Sequence, residues 1–133
     1  MSLGTQNKVV KRLDASVAGE IHDPTWRDIE ETIRRLDGVS CTLVTLGIGD
    51  PVPHMAIGGG RGQKYVVYAT FDNLVFYTLA DPTRGPGQDE LIAGSQAGSY
   101  QRRNCVSLEF VLTAAKTYSQ SGALDPNLTW DTK

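Results

Sequence analysis

Apolar positions Trp26, Ile29, Ile33 and Leu36 recur at three, four and three residues, which predicts a helix over 24–36 with one apolar stripe. Asp23-Pro24 supplies the entry, Glu30/Arg34 and Glu31/Arg35 are spaced to pair on the wet side, and Gly38 is placed to stop it. A second helix is expected over 108–121, with Ser107 as its cap, Leu108, Val111, Leu112, Ala115 and Tyr118 as its apolar face, and Gly122 at its end. Between the helices the pattern changes to β-rich runs at 41–48, 52–57, 64–70 and 74–79, each bounded by Gly, Pro, Asp or Asn. Short strands are also expected at 9–13 and 90–93, whereas 81–87 and 94–100 read as Gly-rich loops.

Connections this short cannot cross over to a parallel neighbour, so the runs predict an antiparallel meander. The turns are Gly49-Asp50-Pro51, the 58–62 segment, and Asp72-Asn73 as a two-residue hairpin with both residues at positive φ. Two apolar helical stripes need one common surface. The expected architecture is therefore α+β, an antiparallel meander sheet of four to six strands with two main helices packed on one face. Residues 8–133 are expected to form one domain, and residues 1–7 a disordered or expression-derived leader. Leu128 and Trp130 give the segment after Asp125-Pro126 an apolar anchor.

A formal net charge of −2 over 133 residues provides no electrostatic excess to draw the surface onto nucleic acid or an anionic membrane. The chain shows no membrane-length apolar run and no apolar stretch at its start, so a cytoplasmic location is expected. In that compartment Cys41 and Cys105 read as two buried thiols.

Gly58-Gly59-Gly60-Arg61-Gly62 is tempting as a phosphate cradle, but a strand-like run follows it where both nucleotide motifs require a helix, so a wide hairpin turn is expected. His22 and His54 are the only imidazoles, and neither sits in a nucleophile motif or near a cysteine at zinc spacing. No catalytic set, metal site or cofactor is therefore predicted. Arg102-Arg103 beside Tyr100 is too small a basic-aromatic group to predict nucleic-acid binding.

Asp23-Pro24-Thr25, the run Met55 to Gly60 followed by Tyr65-Val66-Val67, Gly94-Ser95-Gln96-Ala97-Gly98, and Ala114-Ala115 through Ser121 and Pro126 to Trp130 carry a resemblance in their order. Together they resemble a family of immunity proteins encoded beside secreted toxins in bacterial polymorphic toxin systems, typically toxins with nucleic-acid deaminase domains. Members often carry an acidic residue where this chain has Gly98-Ser99-Tyr100. The resemblance implies a non-enzymatic protein that binds a cognate toxin and blocks it, and it carries over no catalytic residues.

Such a toxin presents a basic substrate groove, and the partner-binding face is accordingly expected at Asp72, Tyr77, Asp81, Arg84, Gln88, Asp89 and Glu90, with Arg84 as the only counter-charge in that stretch. Two other classes compete with this reading. One is a small-ligand-binding protein or enzyme whose pocket lies between sheet and helices, with His54 or Asp81 at its mouth. The other is a structural or adaptor subunit. A homodimer stays open in each case.

Overall fold

The computed structural model describes residues 9–15 and 19–132; the leader expected at 1–7 falls outside them. The β-rich middle of the chain forms the meander its short connections require: β3 (Leu43–Gly47), β4 (His54–Gly59), β5 (Tyr65–Thr70) and β6 (Phe76–Ala80), each antiparallel to the next. At one side, β1 (Arg12–Ala15) pairs with β3 and then with β2 (Gly19–His22). At the other, β9 (Thr129–Thr132) pairs with β6.

The sheet thus has seven strands in the order β2-β1-β3-β4-β5-β6-β9, more than the four to six expected. The strand expected at 9–13 forms two to three residues later as β1, and the additions are β2 and β9, four-residue strands at the two edges of the sheet. These two are too short to show an alternating pattern, and their pairing partners fix them.

A separate two-stranded sheet is formed by β7 (Gln88–Ala93) and β8 (Gln96–Gln101). β8 was expected to be loop. Its Gln-Ala-Gly-Ser-Tyr-Gln composition has little strand propensity, but Gly94 and Ser95, at φ 60° and 66°, make a two-residue turn that folds it back in register with β7.

Helix α1 (Trp26–Arg34) begins two residues later than Pro24. Its cap is Thr25, whose hydroxyl accepts from the Asp28 amide (3.1 Å) while the Thr25 amide donates to the Asp28 carboxylate (2.9 Å). This reciprocal arrangement contributes about 1 kcal/mol. Asp23, at φ 50°, lies outside the helix. The helix ends at Arg34, before Gly38, and the Asp37 carboxylate gathers the amides of Val39, Ser40 and Cys41 at 2.8–3.0 Å. These bonds hold its carboxyl well below the usual carboxylate range. Arg34 pairs with Glu30 as expected, but Glu31 pairs with Arg27 instead of Arg35.

Helix α2 (Leu108–Ser121) matches its predicted span. Ser107 stands at its N-cap position, with the carbonyl accepting from Val111 (3.2 Å), and Gly122 closes it at φ 74°. The β5–β6 turn spans 71–75, with only Asn73 of the expected pair at positive φ, because the Asp72 carboxylate accepts from Leu74 and Val75 and widens it.

Strand register explains the layering. Val44, Ile57 and Val67 lie side by side, as do Leu46, Met55 and Ala69, all on one face and all buried. They form one core with Ile29, Ile33 and Leu36 of the α1 segment and Val111, Ala114, Ala115 and Tyr118 of α2, so both helices cover the same face. Each large apolar side chain buried there contributes about 1.5–3 kcal/mol. The opposite face presents Leu43, Thr45, Ala56, Gly58, Val66, Tyr68 and Thr78, and the β7–β8 hairpin lies over it.

Candidate functional site

Three attachments hold the hairpin in place. At its tip, the Gly94 amide donates to the Thr42 carbonyl (3.2 Å) and the Ser95 amide to the Thr42 hydroxyl (2.8 Å). In its middle, Ala93 lies so close over Gly58 that a Cβ on Gly58 would come within 2.5 Å of it. At its base, Asp89 is ringed by Lys64 Nζ (3.4 Å), Arg84 Nη2 (3.5 Å) and Arg102 Nε (3.4 Å).

Burial alone would raise the pKa of Asp89, whose side chain is 13% exposed, but the Lys64 and Arg102 contacts outweigh it and leave the carboxyl below its ordinary value. A depressed carboxylate stabilises the fold at neutral pH, and that contribution is lost as pH falls through the folded-state value. The clustered charges therefore weaken on acidification.

The expected partner-binding residues divide into two groups. Asp81, Arg84, Gln88, Asp89 and Glu90 collect around the hairpin base. The Arg84 amide donates to the Asp81 carbonyl (3.1 Å), the Asp81 carboxylate accepts from the Thr83 hydroxyl (2.6 Å), and the Glu90 carboxylate accepts from Ser99 (2.8 Å). Gln88 and Glu90 are exposed.

Asp72 lies at the other end of β6, separated from Asp81 by the strand's length, roughly 15–20 Å. Tyr77 is half-buried on the helix-covered side of β6, its ring edge-on to Phe71 with centroids 5.9 Å apart.

Sequence reasoning missed the basic side of this region. Lys64 and Arg102 join Arg84 around one carboxylate, so the three cations and Asp89 carry a net +2. Arg103 pairs with Asp131 (2.8 Å), which also accepts from Asn104 (3.1 Å). The Arg102-Arg103 doublet was the available signal, but its partners are distant in sequence. Arg84, Arg102 and Arg103 line a depression of about 450 Å³ around Gly85-Pro86-Gly87.

A second cleft, about 320 Å³, runs between the hairpin and the sheet, lined by Leu43, Ala56, Val66, Tyr68, Thr78 and Tyr100 among others. It lies on the face away from the helices, and neither His54 nor Asp81 lines it. His54 instead hydrogen-bonds the Pro51 carbonyl (2.9 Å) and the Tyr68 hydroxyl (3.2 Å), and exposed His22 bonds Glu20 (3.1 Å). Cys41 and Cys105 are both buried thiols. Among the described residues no three of His, Cys, Asp and Glu gather as a metal site requires, and no helix is long and apolar enough to cross a membrane.

Two of the motifs that carried the resemblance thus meet at the hairpin: Gly58, near the end of β4, admits Ala93, and Gly94-Ser95 forms the turn that Thr42 pins. Comparison with protein families is consistent with that order of motifs: the model described as Immunity protein Imm1 matches residues 18–132. The chain belongs to the Imm1 immunity protein family. A search of curated proteins gave no match.

Proposed function

We propose that this chain, acting in the cytoplasm, binds a cognate secreted toxin of the nucleic-acid deaminase type and neutralises it by occluding the toxin's active site, without catalysis of its own. The match to the Imm1 family over residues 18–132 carries this reading. The proposed contact face is the hairpin base, with Gln88 and Glu90 exposed, Asp81 and Arg84 half-buried beside them, Asp89 holding its three cations, and Asp72 with Tyr77 as a separate edge. A toxin that acts on nucleic acid presents a basic groove, which Asp81 and Glu90 would complement.

Reversing Asp81 and Glu90 to lysine, with Asp89 kept to hold its three cations, is expected to weaken toxin binding about tenfold to a hundredfold in calorimetry at low salt. The loss should shrink as salt is raised. Unchanged affinity in the folded variant would move the interface elsewhere, to the charged face of α1 that carries Arg27, Glu30, Glu31 and Arg34.

A further inference from the structure

We propose that the toxin attaches by adding an extended segment of its own to the outer edge of β8 as a third strand of the hairpin, an inference that rests on the toxin-binding reading. Exposed strand edges invite pairing, and proteins usually block them with charge, proline or short length. The edges of the main sheet are blocked in this way: β2 is four residues long and carries Glu20 and His22, and four-residue β9 carries Asp131 tied to Arg103. β8 has six residues, no charge and no proline.

The hairpin geometry determines which groups face outward. With a two-residue turn at Gly94-Ser95, Ala93 and Gln96 form the hydrogen-bonded pair, and the pairs alternate from there. Gly98 and Tyr100 then bond β7, while Ala97 and Ser99, both exposed, turn their N–H and C=O groups away from it. Thr42 pins the tip, Ala93 sits on Gly58, and the Arg102 amide donates to the Gly87 carbonyl (2.9 Å) at the base. An edge held at three points loses little further freedom when a strand adds to it.

Charge identifies the occupant. A strand laid along β8 reaches, at the Gln101 end, the depression lined by Arg84, Arg102 and Arg103. An Asp or Glu on the incoming segment would complement the net +2 of the Lys64, Arg84, Arg102 and Asp89 cluster. A second copy of this chain paired antiparallel about Ser99 would bring Ser95 and Gln96 to that end, neither of them anionic. The geometry therefore favours a toxin segment that is uncharged along its pairing stretch and acidic at one end.

The test is amide exchange by NMR on the full chain, alone and with the catalytically inactivated toxin domain encoded by the neighbouring gene. In the complex the Ala97 and Ser99 amides should exchange on the order of 100-fold more slowly, whereas Gly98 and Tyr100 should already be protected in the free chain. Ala97→Pro removes an outward donor and no bond to β7, so it should weaken the complex about tenfold or more with Gly98 and Tyr100 still protected. If the complex forms with Ala97 and Ser99 exchanging as in the free chain, strand addition is overturned and toxin binding stands. If no complex forms, the toxin-binding reading itself fails. Protection of the same amides in the chain alone, with a dimer mass by ultracentrifugation, would assign the edge to a second copy and overturn the proposal.

Discussion

Gly60→Ala is expected to cost about 3–5 kcal/mol of folding stability, the sum of a strained backbone and a clash that neither side can relieve. Gly60 sits at φ 111°, a conformation that side chains rarely adopt, with its amide donating to the Lys64 carbonyl (2.9 Å) to close the β4–β5 turn. A Cβ there would lie 2.5 Å from the Leu36 carbonyl and 2.8 Å from the Asp37 amide. Both are backbone at the end of the α1 segment, so no rotamer change makes room. Gly38 mirrors the contact, with its own Cβ position 2.5 Å from Arg61. Denaturant unfolding of the variant checks this, and a loss below about 1 kcal/mol would mean the turn shifts freely.

Ile57→Ala should cost about 2–5 kcal/mol by the same measurement. Ile57 is fully buried between Val44 and Val67 in the middle of the sheet, beneath both helices. Layers on either side constrain collapse of the cavity, which places the cost toward the upper part of that range. Leu43, one residue before Val44 and on the opposite face, is 38% exposed, so Leu43→Ala should cost far less and serves as the control.

The same contrast marks how far the sequence could be read. The α1 stripe was legible because Ile29, Ile33 and Leu36 must all be buried on one side, and they are. The meander was legible because its connections are short. β8 was not, since its strand state comes from the left-handed turn at Gly94-Ser95 and from Thr42, on the far side of the sequence. Of the three consecutive glycines expected in a turn, Gly58 and Gly59 instead continue β4 and only Gly60 starts the turn, for spatial reasons the sequence does not show: Gly58 admits Ala93, Gly59 admits the Lys64 carbonyl, and Gly60 admits the end of the helix segment.

The charge distribution was legible only in part. A local excess of carboxylates around Asp89 is visible along the chain, yet folding delivers Lys64 from before β5 and Arg102 from after β8, which makes the cluster basic. Only the order of soft motifs pointed to the family, and no single residue among them would have done so.

The central claim, that this Imm1 family member neutralises a toxin by binding it, is tested most directly by titrating the purified chain into a purified candidate toxin domain, taken from the adjacent gene, and following the toxin's catalytic activity. The account predicts a linear fall to zero at one equivalent, with a 1:1 complex in solution. Full activity in the presence of a large molar excess of the folded chain would contradict it.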